Sequence, residues 1–345
     1  MNPTINFILL FSMILGTVLT MISHHWVLAW LGLELNTLAI IPIISKSHHP
    51  RAIEATTKYF LIQAASSALI LFSGIINAHL HGTWDISQLS DTTTKTLLMS
   101  GLATKLGLAP MHFWLPDVIQ GIPMLTALII TTWQHNPPMA LLIMTANLLP
   151  TSITLTMGIT STIIGGLGGL NQTQLRKMMA YSSIAHLGWM MVIITMAPDL
   201  TLLNLFLYIS MTSSTMLIMQ ATSSKTLQNT TLPHNYSPPT TIFFLLSLLS
   251  LGGLPPLSGF SPKWLILKEL VSWGLIPLAA IMAITTLLSL MFYLRTTYIS
   301  TMTLSPSTTP IKNTWRFKPN IYTSPLSMSI PISLLMLPIT PTMTQ

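Results

Sequence analysis

The stretch Gly252-Gly253-Leu254-Pro255-Pro256-Leu257-Ser258-Gly259-Phe260-Ser261-Pro262-Lys263 interrupts an apolar run that extends from Thr241 to Ile276. A straight helix of that length would measure about 54 Å, whereas the hydrocarbon core of a bilayer is about 30 Å thick. The glycines and prolines free several backbone groups from helical hydrogen bonding, so they must break the helix. The sequence therefore predicts a broken transmembrane helix with Lys263 near mid-depth.

Charged residues are scarce throughout the chain. The 345 residues include 14 Lys and Arg and 7 Asp and Glu, so 6% are charged, against roughly 25% in soluble domains. Half of the residues are apolar, and the absence of cysteine excludes disulfides, iron–sulfur clusters and thiolate metal sites. We therefore predict an all-α, polytopic membrane protein and expect any redox chemistry to reside on other chains.

About eleven apolar runs are long enough to cross a bilayer. They lie near residues 3–22, 26–44, 55–78, 96–115, 122–143, 150–170, 174–196, 200–222, 241–267, 274–298 and 323–343. When successive loops are assigned alternately to two sides, nearly all lysines and arginines fall on the side of the N-terminus. The positive-inside rule assigns that side to the matrix or cytoplasm. Because eleven is an odd number of spans, the C-terminus is predicted to lie on the opposite side.

A similar interruption, Lys105-Leu106-Gly107-Leu108-Ala109-Pro110, lies in the fourth run. The interrupted runs are the fourth and the ninth, so they occupy the same place in two successive groups of five helices. Because five is odd, the second group is inverted, and inverted repeats with broken helices are typical of transporters. We predict one transmembrane domain, with a first five-helix repeat (1–148), an inverted repeat (149–298) and a basic loop with a C-terminal helix (299–345).

Four ionisable residues are predicted near the middle of apolar runs: Glu34, Lys105, His135 and Lys263. Charge at that depth costs free energy, so such residues usually contact a partner or a water-filled cavity and often carry protons or ions. The proton affinity of a buried lysine depends on whether a carboxylate is near, and histidine titrates near neutrality. For each residue the alternative is a structural role, as a neutral hydrogen-bonded side chain or a static ion pair.

Two further positions permit two interpretations. Glu54 and Lys58 are four residues apart, which suits an ordinary ion pair on a helix face, although Lys58 could also act where protons enter. His186, in the middle of the seventh run, could carry protons or bond to the serines and threonines around it, and the second role is favoured.

The remaining polar clusters do not point to a metal or to nucleic acid. The histidine doublets lie in loops and lack a third ligand, so no metal site is predicted. Lys312, Trp315, Arg316 and Lys318 form a basic interfacial patch. Such a patch suits the headgroups of anionic lipids better than nucleic acid.

Five motifs give the chain a resemblance to a known family over essentially its whole length. They are Trp30–Asn36, Pro50–Phe60, Lys105–Pro116, Gly169–Trp189 and Gly252–Trp264. The chain resembles the subunit 2 family of mitochondrial NADH dehydrogenase (ubiquinone), whose members are antiporter-like core membrane subunits of respiratory complex I. The resemblance implies a proton-translocating module in the mitochondrial inner membrane, with the N-terminus in the matrix and the C-terminus in the intermembrane space.

The resemblance also implies roles for individual residues. Glu34 would pair with Lys105, protons would pass by His135 to Lys263, and Lys58 would be a further lysine of the network. His135 stands where mammalian members usually have lysine, and its charge-carrying role is expected to be kept.

The resemblance further implies which chemistry belongs to partner chains. NADH, FMN, iron–sulfur clusters and ubiquinone would be bound by partner subunits, and this chain would bind no cofactor or metal. Its partners would be other membrane-arm subunits, including the other antiporter-like ones, and lipids such as cardiolipin. Two other interpretations stay open, namely a stand-alone cation/proton antiporter of related fold and a non-conducting structural subunit.

Overall fold

The computed structural model describes residues 3–46, 48–231, 238–303 and 323–340, and this part of the chain is almost entirely helical. Within these residues the extended pairing is limited to two isolated β-bridges, between His25 and Asp85 and between Gln174 and Thr226. The predicted all-α fold is therefore confirmed. The predicted lipid-binding patch, from Lys312 to Lys318, lies outside the described residues.

The chain divides into two compact units. The first comprises residues 1–161 with 194–198, and the second comprises residues 162–193 with 199–345. The first unit contains α1 (Pro3–Ile22), α2 (Trp26–Ser45), α3 (Pro50–His81), α4 (Thr92–Leu106), α5 (Trp114–Gly121), α6 (Met124–Thr131), α7 (Asn136–Met144) and the first part of α8 (Thr151–Leu170).

The second unit contains the rest of α8 and six further helices. They are α9 (Leu175–Ile193), α10 (Pro198–Ala221), α11 (Pro238–Gly252), α12 (Phe260–Ser272), α13 (Ile276–Met302) and α14 (Thr323–Leu335). Helix α9 is buried along almost its whole length, including His186 and its neighbours. It therefore forms the core of this unit, against which α12 and α13 pack.

Six helices in the described part of the chain are long and apolar enough to cross a membrane, judged by length and composition: α1, α2, α3, α8, α10 and α13. Their outward faces carry large apolar side chains, such as Phe7 of α1, which is 70% exposed. Such faces suit contact with lipid. The count of eleven spans and the inverted-repeat arrangement stay predictions.

Glycine, serine and threonine residues determine how closely the helices pack and how their buried hydroxyl groups are bonded. A Cβ on Gly32 of α2 would lie 2.9 Å from the Gly16 carbonyl oxygen of α1, so the two backbones approach closely. Buried hydroxyls bond back to their own helix, as when Ser66 Oγ donates to the Gln63 carbonyl oxygen at 2.7 Å. Close approach through small residues and such back-bonding are typical of membrane helices.

Both predicted interruptions are present. Helix α4 ends at Leu106, and Gly107 follows with φ 73°. Helix α11 ends at Gly252, and the chain resumes as α12 at Phe260. The fifth run, predicted as one span near residues 122–143, is divided into α6, a 3-10 turn at Trp133–His135, and α7. Proline lacks an N–H group, so Pro137 and Pro138 fit only at the start of α7.

Candidate functional site

Lys105 lies in the last turn of α4 and is 5% exposed. Its carbonyl oxygen accepts a hydrogen bond from Gln63 Nε2 of α3 at 3.3 Å. Gln63 follows the start of α3, at Pro50, by about 20 Å and precedes its end, at His81, by about 27 Å, at 1.5 Å per residue. This contact positions the Lys105 backbone beside the middle of α3, a helix long enough to cross a membrane, and a position of Lys105 at mid-depth stays a prediction.

Neighbouring groups satisfy the carbonyls at the broken end of α4. The Ala103 carbonyl accepts from the Leu108 N–H at 2.9 Å. The Thr104 carbonyl accepts from Trp114 Nε1 at 3.0 Å, and Gln63 serves the Lys105 carbonyl. Unpaired backbone groups are not tolerated at membrane depth. This end is therefore closed without the Lys105 ammonium group.

The Lys105 ammonium group faces a cavity that His135 also lines. Among the described residues, Lys105 Nζ has no hydrogen-bond partner. The cavity offers about 10 Å³ to the centres of water molecules, which is room for about one water. It is lined by Leu33, Asn36, Thr37, Tyr59, Gln63, Lys105, Trp114, Ile130, Gln134, His135, Pro137 and Pro138. The two ionisable side chains therefore border the same small space.

Glu34 reaches this cavity through Thr37. Its Oε2 accepts from Thr37 Oγ1 at 3.1 Å, and Thr37 is one of the lining residues. Glu34 also interacts electrostatically with Lys105. However, the Glu34 carboxylate and the Lys105 ammonium group are not within the 4.0 Å of an ion pair among the described residues. The two groups are neighbours through space, not a closed salt bridge.

His135 lies in the 3-10 turn between α6 and α7 and is 2% exposed. Its ring interacts with the backbone of Thr131, one turn earlier in the chain. The turn ends where Pro137 and Pro138 begin α7. The prolines thus hold the histidine at a break in the helix, beside the cavity.

Lys58 is part of a surface cluster at the beginning of α3. Its Nζ lies 2.7 Å from Glu54 Oε1 and 3.6 Å from Asp117 Oδ2 of α5. The Lys58 side chain is 43% exposed. The helix-face ion pair is therefore present, and a role of Lys58 where protons enter stays a prediction. Asp117 was not recognised from the sequence, since its contact depends on how α5 packs against α3.

At the second break, Lys263 of α12 donates hydrogen bonds to the carbonyl oxygens at the end of α11. It lies in the first turn of α12, is 9% exposed, and donates from Nζ to the carbonyl oxygens of Gly252 at 2.8 Å and Leu251 at 3.4 Å. Those carbonyls end α11, where the helix dipole attracts positive charge. Gly253 has φ 82°, and a Cβ there would lie 2.9 Å from Lys263 Nζ. Glycine therefore makes room for the lysine.

His186 adjoins Lys263 in the second unit. Its ring hydrogen-bonds to the Leu251 backbone, which Lys263 also approaches, and the two side chains interact electrostatically. The centroids of the His186 and Tyr208 rings are 5.5 Å apart. The interaction with Lys263 was not expected from the sequence, where His186 was noted only for its central position in an apolar run. Among the described residues no group of three His, Asp or Glu side chains could hold a metal ion.

Two family models together match residues 23–344. The family model NADH:quinone oxidoreductase/Mrp antiporter, TM, matches residues 23–289, and the model NADH dehydrogenase subunit 2 C-terminus matches residues 290–344. A relative from Varanus melinus named NADH-ubiquinone oxidoreductase chain 2 is 76% identical over the full length of both chains. The chain belongs to the NADH-ubiquinone oxidoreductase chain 2 family.

Other chain 2 proteins and solved structures extend the comparison. The chain 2 protein of Salmo salar is 54% identical over 100% of this chain and 99% of its own. A chain of respiratory complex I from Thermus thermophilus is 26% identical, with a TM-score of 0.85, and the match covers 97% of this chain and 79% of that one. A chain of the Mrp complex from Dietzia sp. DQ12-45-1b has the same fold, at 17% identity and a TM-score of 0.78, over 86% and 60% of the two chains. This member of the chain 2 family is a multi-pass membrane protein.

Proposed function

We propose that this chain is an antiporter-like core membrane subunit of respiratory complex I, NADH:ubiquinone oxidoreductase. It couples electron transfer from NADH to ubiquinone, which takes place on partner subunits with their FMN and iron–sulfur clusters, to proton movement across the mitochondrial inner membrane. The names of its relatives and its likeness to a complex I chain support this function over a stand-alone antiporter. Other membrane-arm subunits, including antiporter-like ones, are its partners.

The orientation and repeat arrangement are part of the same proposal. The N-terminus lies in the matrix and the C-terminus in the intermembrane space, with eleven spans arranged as two inverted five-helix repeats and a C-terminal helix. The collection of lysines and arginines on one side of the predicted spans supports this orientation. The basic patch from Lys312 to Lys318 binds anionic lipids such as cardiolipin at the matrix surface.

The cavity shared by Lys105 and His135 is the observation that carries the function. Two proton-binding side chains line one small space, and Glu34 of α2 interacts electrostatically with Lys105 of α4. An internal water that bridges them would complete a path of hydrogen bonds. A structural role alone does not require an ammonium group at that depth without a closed ion pair.

The proposed transfer begins at the Glu34–Lys105 interaction. When the Glu34 carboxylate moves away, Lys105 Nζ releases its proton to the cavity water, which passes a proton to a ring nitrogen of His135. The proton then passes from His135 to Lys263, which belongs to the second unit and interacts with His186. Each charge moved against the membrane potential costs about 2.3 kcal/mol per 100 mV. Electron transfer on the partner subunits must supply this energy.

Substitution of Lys105 tests the proposal. Lys105→Met removes the charge but keeps an apolar side chain of similar length, and Lys95→Met makes the same change in the first turn of the same helix, α4. Inner-membrane vesicles with the assembled complex report proton uptake per NADH, with NADH oxidation by ferricyanide as the measure of enzyme amount. We expect Lys105→Met to lose proton uptake and Lys95→Met to keep it. Proton uptake per NADH equal to wild type in Lys105→Met would refute the scheme.

A further inference from the structure

The loop between α11 and α12, residues 253–259, is tied to the C-terminal helix by one side chain. Ser258 bears the only polar side chain in this loop. Its hydroxyl donates to the Ser333 carbonyl oxygen of α14. Both residues are 0% exposed, and α11 and α14 pack against each other. The hydrogen bond therefore joins the second break to α14 inside the second unit.

The accepting carbonyl has no donor within its own helix. Ser333 lies in the last turn of α14, where the final carbonyls have no intrahelical partner. The Ser333 hydroxyl is used elsewhere, since it donates to the Ile330 carbonyl oxygen at 2.9 Å. In a buried, lipid-surrounded position a carbonyl requires a donor from another element. Ser258 provides that donor.

The same loop determines where Lys263 lies. It connects Gly252, whose carbonyl accepts from Lys263 Nζ at 2.8 Å, to the first turn of α12, which carries Lys263. At Gly259 the loop presses against α11, because a Cβ there would lie 1.8 Å from the Ser250 carbonyl oxygen. The loop thus has two neighbouring anchors, Gly259 against α11 and Ser258 on α14. Release of Ser258 would let the first turn of α12 shift relative to the end of α11.

We propose that Ser258 is a positioning residue for Lys263, and that α14 holds this lysine on the end of α11 through the Ser258–Ser333 hydrogen bond. The proposal rests on the proposed function, in which Lys263 carries protons. It gives the C-terminal helix a part in proton transfer that its apolar composition does not suggest.

The test compares serine variants in the assembled complex. Ser258→Ala removes the hydrogen bond, Ser258→Thr keeps a hydroxyl, and Ser261→Ala is the matched control. The Ser261 hydroxyl donates at 2.8 Å to the Ser258 carbonyl oxygen, so its loss affects a bond within the turn and spares the link to α14. We expect Ser258→Ala to lower proton uptake per NADH about twofold or more, the size of effect common at coupled positions outside a site, and to shift the pH profile of coupled turnover. Ser258→Thr and Ser261→Ala should match wild type.

Two additional variants make each outcome decisive. If Ser258→Ala matches Ser261→Ala in proton uptake and pH profile while Lys263→Gln loses uptake, the positioning role is overturned and the proposed function stands. If Lys263→Gln also retains full uptake, the proposed role of Lys263 fails with it. Should Ser258→Ala prevent assembly, Ser258→Val takes its place, because valine has nearly the shape of threonine but no hydroxyl. An assembled Ser258→Val complex with the uptake and pH profile of Ser258→Thr would then overturn the proposal.

Discussion

Replacing Gly253 by alanine should displace the Lys263 ammonium group from the end of α11. Gly253 has φ 82°, and alanine in the left-handed region costs about 1–2 kcal/mol. The new Cβ would lie 2.9 Å from Lys263 Nζ and 3.0 Å from its Cδ. The flexible lysine must therefore move, and its 2.8 Å hydrogen bond to the Gly252 carbonyl is lost. Loss of a hydrogen bond to a charged group costs about 1.5–3 kcal/mol more.

Gly274→Ala separates the backbone effect from the lysine effect. Gly274 follows α12 with φ 76°, and apart from its chain neighbours no atom of the described residues lies within 4 Å of the position a Cβ would take. Both variants should lose about 1–2 kcal/mol from the backbone, and Gly253→Ala should lose about 1.5–3 kcal/mol more from the hydrogen bond, so its midpoint of thermal inactivation should fall further than that of Gly274→Ala. Only Gly253→Ala should lose proton uptake per NADH in membrane vesicles. Equal proton uptake in the two variants would show that the Lys263–Gly252 contact has no part in coupling.

Three further substitutions test other contacts. His135→Lys should retain proton uptake per NADH and His135→Leu should lose it, whereas equal loss in both would argue against a charge-carrying role. Asp117→Asn removes one exposed partner of Lys58. The stability of the complex in thermal inactivation should therefore change by less than about 1 kcal/mol. A larger change would indicate that the ion pairs of Lys58 are buried in the complex. Gly32→Ala adds a Cβ 2.6 Å from a threonine methyl group of α1. This change should destabilise the α1–α2 contact by about 1–3 kcal/mol and lower the amount of complex on native gels. An unchanged amount of complex would contradict the close approach of α1 and α2.

The helices and breaks could largely be predicted from the sequence because they depend on neighbouring residues. Apolar runs predicted α1 and α2 to within a residue at each end. Glycine and proline clusters predicted the interruptions beside Lys105 and Lys263, since both residue types act on the backbone where they stand. The scarcity of charge then directed attention to these two lysines and to His135.

Contacts between distant segments could not be predicted in the same way. His186 has serines near it in sequence, so hydroxyl partners were favoured, whereas Leu251 and Lys263, which interact with it, are more than 60 residues away in the chain. Glu34 was predicted to pair with Lys105, but its distance from the lysine depends on how α2, α3 and α4 pack. Hydropathy and spacing contain no information about such packing.

The lysines at the two helix breaks interact with different groups, and this difference bears on how proton transfer is controlled. At the first break Trp114 and Gln63 cap the carbonyls, so the Lys105 ammonium group depends on the cavity and on Glu34, a carboxylate of another helix. At the second break Lys263 itself caps α11, and the partial negative charge that attracts it belongs to the backbone. A carboxylate can move or be protonated, whereas a helix end keeps its dipole. Signals from partner subunits should therefore act on the first break, and the second should follow it.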